Sequence, residues 1–320
     1  MILVTGGSGL LGQHLLKALL KDGEMIRATY LHTDPPAALS QGIEWMRCDL
    51  EEYEDIEAAL QGVTHVYHCA AMVSYDRRLH ERMMRVNIEG TANLVNACLD
   101  RGIQKLVHVS SIAAFSQVEA PELVNETTPW LRSKEDSAYA QSKHKSEMEV
   151  WRGIAEGLNA VIVNPSIILG EGDWNKGSAA LFRIVKNEFP WYTGGATGWV
   201  DVQDVVRAMT GLMKSDIAGE RFILNGGNHP YRDVFTWMAE AMGVRPPHRE
   251  ARPWMAELVW RWAYLKSMLT GKEATLTKET ARSAQRISAY DGSKICGVLK
   301  GFEYTGVKET VKRVGDVLSV

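Results

Sequence analysis

Tyr139 and Lys143 stand four residues apart in the stretch YAQSK. On a helix, that spacing puts both side chains on one face, one turn apart. An ammonium beside a phenol stabilises the phenolate and lowers the phenol pKa. Tyr139 is then suited to give and take a proton near neutral pH, and Lys143 can also hydrogen-bond the ribose hydroxyls of a nicotinamide nucleotide. Upstream, Ser111 closes the apolar run KLVHVSS. The end of a parallel strand faces the ligand crevice, so a hydroxyl there can hold a substrate carbonyl oxygen and steady a developing alkoxide. Ser110 is the alternative. Taken alone, the Tyr–Lys pair is a common helix-surface pattern and either serine an ordinary strand cap; their weight lies in their order along the chain.

The opening ILVTGGSGLLG holds two phosphate-binding spellings. Gly7, Gly9 and Gly12 read as G-x-G-x-x-G; Gly6, Gly9 and Gly12 read as T-G-x-x-G-x-x-G. Glycines between a strand and a helix permit a tight turn and close approach of a pyrophosphate, while the first helical turn, here Leu10 and Leu11, offers free N–H groups. Gly6, Gly9 and Gly12 are the expected contacts, with Gly7 as a turn filler. About 20 residues on, an acidic residue would bind the ribose hydroxyls of NAD. That position holds Tyr30, Leu31 and His32, and the nearest carboxylate is Asp34 in a Pro-rich loop. A missing carboxylate removes repulsion against a 2′-phosphate, and His32 can hydrogen-bond it or, protonated, pair with it. NADP is therefore favoured over NAD. Asp49 and Leu50, in CDL, are placed to meet the adenine, with Asp49 either accepting from its amino group or capping the next helix.

These residues need a frame. Short apolar runs alternate with helical patterns: ILVT, MIRATY, IEWMRCDL, THVYHCA, KLVHVSS and NAVIVNP, with helices between them, including a long one from about 78 to 101. The alternation predicts an α/β fold, a doubly wound, Rossmann-type parallel sheet covered on both faces. Residues 1–165 form the expected dinucleotide-binding domain. Residues 166–320 form a smaller, mostly helical substrate part, with about 200–226 returning to the first domain. The stretch 254–271 reads as an amphipathic helix with a broad apolar face, suited to core or lid packing or, less readily, to peripheral membrane contact.

Composition excludes several classes. A net charge of −3 gives no basic excess for a nucleic-acid partner. Cys48, Cys69, Cys98 and Cys296 form no C-x-x-C pair and no metal-ligand spacing, as expected of reduced thiols in a cytoplasmic protein. Neither a signal peptide nor an integral membrane segment is expected.

The chain resembles an extended short-chain dehydrogenase/reductase of the epimerase/dehydratase-like branch. The matching pieces are TGGSGLLG, CDL, VYHCAA, VNIEGTANLVNAC, VSS, YAQSK, NPSIILGEGD and WVDVQDV, in the family's order. The resemblance implies that Ser111, Tyr139 and Lys143 form a catalytic triad. It implies that Asn87 supports the active-site helix and a water relay. Ala70 and Ala71 would pass the adenosine ribose and pyrophosphate, and Pro165 and Ser166 would offer backbone groups to the nicotinamide carboxamide. Asp201 would be structural. Family dehydratases carry an acidic pair just after the serine, where this chain has Ile112 and Ala113, and family epimerases carry an acid at the end of the second strand. Their absence points to carbonyl or alcohol redox, as in dihydroflavonol-reductase-like and hydroxysteroid-dehydrogenase-like members. Tyr75 is a candidate pocket wall. Phe115, Trp174, Trp191, Tyr192 and Trp199 point to an apolar or aromatic small-molecule substrate, although core packing accounts for most such residues. A nucleotide-sugar epimerase and a catalytically silent nucleotide sensor are the other readings. A homodimer through the helices carrying Asn87 and Tyr139 is also implied.

Overall fold

A computed structural model describes residues 1–116, 122–133, 136–175, 177–270 and 277–318. The strands are Ile2–Thr5 (β1), Ile26–Tyr30 (β2), Ile43–Arg47 (β3), His65–His68 (β4), Lys105–Val109 (β5), Leu123–Val124 (β6), Ala160–Pro165 (β7), Ile167–Leu169 (β8), Trp191–Tyr192 (β9), Ala196–Asp201 (β10), Glu220–Leu224 (β11), Gly227–Pro230 (β12), Arg249–Glu250 (β13) and Ala289–Tyr290 (β14). The helices are Leu10–Lys21 (α1), Tyr53–Ala59 (α2), His80–Met84 (α3), Gly90–Asp100 (α4), Ala138–Ala155 (α5), Ala179–Lys186 (α6), Val202–Met213 (α7), Tyr231–Met242 (α8), Pro253–Thr270 (α9), Lys278–Ser283 (α10), Ser293–Val298 (α11) and Val307–Leu318 (α12).

Seven strands form one sheet in the order β11-β7-β5-β4-β1-β2-β3, and every neighbouring pair is parallel. This is the doubly wound α/β fold that the alternating pattern predicts. β7 is buried along its whole length, because helices cover both of its faces. On one face Leu15, Leu16 and Leu19 of α1 meet Val205, Met209 and Leu212 of α7; on the other, Ile56, Leu94, Cys98 and Val150 pack together. β11 joins the edge beside β7 although most of the second half of the chain surrounds it.

A third core joins α6, α8, α12 and β10 through Phe182, Met238, Val311 and Trp199. This part is mostly helical, as the sequence pattern predicts, with the small sheets β12-β10-β8, β13-β9 and β14-β6 beside the helices. The long helix expected near 78–101 is interrupted. α3 passes through a π-helical segment, Arg85–Glu89, before α4 begins. Such single-turn widenings recur at functional sites. Among the described residues, no helix is long and apolar enough to cross a membrane.

Candidate active site

The glycine turn joins β1 to α1. Gly6 has φ +67°, and a Cβ there would lie 2.7 Å from Ala70 Cα, so a side chain would collide with the loop after β4. At Gly12 a Cβ would overlap the carbonyl oxygen of Gly6. Gly9 is less confined, its nearest neighbour being Gly6 O at 3.3 Å. Gly7 is more than a filler: a Cβ would meet Ala28 Cβ at 2.9 Å and the Trp45 ring at 3.0 Å. Gly9 caps α1 with no side-chain bond, and the first turn holds no acid. Leu11 is buried, Leu10 half-buried. A narrow cradle beside an uncapped helix N-terminus fits a pyrophosphate.

The proposed chemistry residues converge at the C-terminal end of β5. Ser111 follows the strand and caps a short turn by accepting the Ala113 N–H at 3.1 Å. Its hydroxyl is near enough to Tyr139 to bear on that phenol's pKa. Ser110, the alternative, is turned into the interior, where it donates to Glu147 Oε2 at 2.7 Å. Lys143, one turn beyond Tyr139, is buried and donates to Val109 O at 2.8 Å. Burial lowers its pKa to about 8, opposed by the nearby Glu147 and Cys69. For Tyr139, burial raises the pKa and the neighbouring Ser111 hydroxyl opposes that rise. The direction is opposite to the sequence expectation, because removing the phenolate from water outweighs its stabilisation in the protein alone.

Asn87 lies in the π-helical segment and acts as a clamp. Its Oδ1 accepts the Met72 N–H at 2.7 Å, and its Nδ2 donates to Met72 O and Ser142 Oγ, both at 2.9 Å. Ser142 in turn donates to Tyr139 O. A polar chain runs from there to the glycine turn. The Ala70 N–H meets Thr5 Oγ1 at 3.2 Å, and the Thr5 hydroxyl meets His68 Nδ1 at 2.7 Å. His68 Nε2 is 3.1 Å from Thr91 Oγ1, which donates to Asn87 O. The sequence of donors places the His68 proton on Nε2. Burial, with Lys143 adding to it, holds His68 neutral and pushes its pKa to about 3.

Glu147, a further turn along α5, is a buried carboxylate that motif reasoning missed. It accepts from Ser110, from Asn164 Nδ2 at 2.8 Å, from Trp151 Nε1 at 3.3 Å and from Arg221 Nη1 at 3.0 Å. Asn164 Nδ2 also reaches Ser111 O at 3.1 Å, tying this network to the site. The only sequence signal was the run of Tyr139, Lys143 and Glu147 at intervals of four.

At the end of β2, His32 Nε2 lies 2.9 Å from Arg82 Nη2 of α3, a partner 50 positions away that sequence reasoning did not find. Asp49 does not cap α2, whose cap is Glu52; its carboxylate accepts the Glu51 N–H at 3.1 Å. Leu50 is buried against Gly90. Ala71 is exposed beside the turn and Ala70 half-buried. Pro165 ends β7. Ser166 departs from expectation: its N–H and hydroxyl both donate to Leu224 O, at 2.9 and 3.1 Å, so neither is free for a carboxamide. The Tyr75 ring centre lies 6.0 Å from that of Tyr139. Trp199 and Phe115 are core residues, and Arg221 stacks on Phe115 at 4.2 Å. Asp201 caps α7 and pairs with Arg313 at 2.7 Å, a structural role. Among the described residues, no cluster of His, Cys, Asp and Glu is placed to hold a metal.

A doubly wound sheet with a glycine cradle at its ligand end defines a Rossmann-type, NAD-binding oxidoreductase class. The chain belongs to the NAD-dependent epimerase/dehydratase family, whose pattern matches residues 2–225. It is 27% identical over 96% of its length to a protein of Synechocystis described as a candidate dihydroflavonol 4-reductase, covering 91% of that protein. It is 31% identical to sterol demethylase protein B of Methylococcus capsulatus, over 78% of this chain and 77% of that one. It is also similar to the solved UDP-glucose 4-epimerase of Thermus thermophilus in complex with NAD, with a TM-score of 0.78 and 26% identity, over 98% of this chain and 97% of that one.

Proposed function

We propose that the protein is an NADP-preferring oxidoreductase that interconverts a ketone or aldehyde and the alcohol of an apolar small molecule. The observation that carries this reading is the convergence of Ser111, Tyr139 and the buried Lys143 at the ligand end of β5. A bound nicotinamide supplies or accepts the hydride. In the reducing direction Ser111 holds the substrate oxygen, Tyr139 gives it a proton, and the Lys143 ammonium steadies the phenolate left behind. Asn87 acts by fixing the loop after β4 to α5. The cradle of Gly6, Gly9 and Gly12 with the start of α1 holds the pyrophosphate, and Ala70, Ala71 and Leu50 border the adenosine. The NADP preference rests on the acid-free end of β2, where His32 and Arg82 together offer donors to a 2′-phosphate. Ile112 and Ala113 leave no acid or base beside Ser111 for water elimination. Tyr75 and Tyr139 give the pocket an aromatic wall.

Oxidation of NADPH against a panel of apolar ketones and aldehydes tests the reading. The expected result is turnover that drops by about a hundredfold or more in Tyr139→Phe, the usual scale of general-acid help. Turnover of a UDP-hexose without added cofactor would favour the epimerase reading, and binding without turnover the silent sensor. The four free thiols support a cytoplasmic setting. A homodimer through α4 and α5 is supported by Met148, which α5 leaves 49% exposed.

A further inference from the structure

α9 turns a tryptophan-bearing apolar face to the outside. Trp254, Leu258, Val259 and Trp262 follow one another at helical spacing and are 61, 50, 53 and 73% exposed. Large apolar side chains rarely stand that far into water without a partner, and four in one stripe form a patch. The surroundings are basic. Residues 245–262 and 277–286 hold seven Lys and Arg against three Asp and Glu, in a chain whose net charge is −3. Arg245, Arg249, Arg252 and Arg261 are all exposed; Arg252 immediately precedes α9 and Arg261 lies on it, paired with Glu257 at 3.2 Å.

We propose that this face of α9 docks on an anionic lipid bilayer as an interfacial helix. Tryptophan suits the boundary between headgroups and acyl chains because its ring is apolar and its N–H stays wet. Arginines beside it meet lipid phosphates, and together the two features are the signature of a helix lying in the membrane plane. A protein partner would have no need of the positive field around the stripe.

The docked face is linked to the candidate site. Glu257 of α9 pairs with Arg282 of α10 at 3.5 Å. Glu279, also on α10, lies near enough to the N–H of Ala138, the residue before Tyr139, for that N–H to oppose the rise burial gives its pKa. The membrane-facing helix thus sits on the element that borders the active-site helix, so an apolar substrate carried by the bilayer reaches the cleft with a short passage through water. That last step rests on the proposed carbonyl chemistry; the docking itself does not.

Flotation of the full-length protein with vesicles tests the docking. Phosphatidylglycerol-containing vesicles are expected to carry the protein, pure phosphatidylcholine vesicles to carry much less, and high salt to release it. Trp254→Ser/Trp262→Ser is expected to cut partitioning by about tenfold or more, and Arg252→Glu to weaken it on anionic vesicles alone. Unchanged thermal unfolding and NADPH binding would show that the variants fold. Equal flotation of wild type and the double variant would overturn the proposal. So would absence of vesicle binding together with a dimer in light scattering that the double variant dissolves, which would assign the stripe to a second copy. Loss of vesicle binding with intact ketone reduction would leave the function reading standing, and the reverse result would leave the docking standing.

Discussion

Arg221, on the edge strand β11, closes to 3.0 Å on Glu147, one helical turn beyond Lys143. Both charges are largely withdrawn from water, with side chains 19 and 2% exposed. Breaking one member of such a pair strands the other. Glu147→Ala is therefore expected to lower the unfolding free energy by about 3–5 kcal/mol, read by urea denaturation. A loss under about 1 kcal/mol, the value of an exposed pair, would show that the network is weaker than its geometry.

Glu147 also holds up the pKa of Lys143, which burial brings down to about 8. If the ammonium steadies the Tyr139 phenolate, turnover falls as pH rises through about 8. In Glu147→Gln the falling limb moves to lower pH, because one opposing negative charge is gone. Stability follows the other sign. The folded pKa is below that of an unfolded lysine, so above about pH 8 the unfolded chain binds more protons and this group's contribution rises with pH. Activity and stability should separate over that range in parallel pH titrations.

His68 and His108 face each other across β4 and β5 with ring centres 5.0 Å apart. Burial lowers both pKa values, that of His68 to about 3. Both rings stay neutral in the fold and gain protons on unfolding at acid pH. Stability is expected to fall as pH drops below the ordinary histidine range, by up to roughly 1.4 kcal/mol per pH unit for each ring. Neither ring nitrogen of His108 has a hydrogen-bond partner. His108→Leu should therefore leave neutral-pH stability unchanged or raised and remove about half of the acid slope.

Gly12 and Gly9 should part company. The Cβ of Gly12→Ala overlaps Gly6 O, whereas that of Gly9→Ala has 3.3 Å. Calorimetry is expected to show dinucleotide binding lost by more than about tenfold in Gly12→Ala and a smaller change in Gly9→Ala. Equal effects would mean that the cradle adapts.

Arg82→Gln should lower the ratio of kcat/KM for NADPH over NADH by about tenfold, the scale of one lost charge-assisted contact, with NADH kinetics little changed. A wild type that prefers NADH would overturn the NADP reading itself.

The frame was legible because its signals are local. Short apolar runs marked the strands, and the interval from Tyr139 to Lys143 survives unchanged on α5. What escaped is what the fold assembles from distant segments. Gly7 looks like a spare glycine until Trp45 is packed against it. Arg82 and His32 sit on separate elements, and no rule pairs an arginine with a histidine 50 positions away. Glu147 reads as a solvent-facing helical glutamate until Arg221 arrives from a strand that ends at Leu224. Periodicity predicted α9 but says nothing about which way its apolar face turns.

The placement of β11 has a consequence for synthesis. On the ribosome, a nascent chain that has emerged only as far as β7 carries the Glu147 carboxylate without its Arg221 partner and an unprotected sheet edge beside it. The nucleotide-binding half is therefore expected to be less stable as an early unit than in the whole chain. It gains the Arg221 partner of Glu147 only once most of the polypeptide has emerged. A fragment ending at Pro165 should emerge as a chaperone client, while extension through Leu224 should release it.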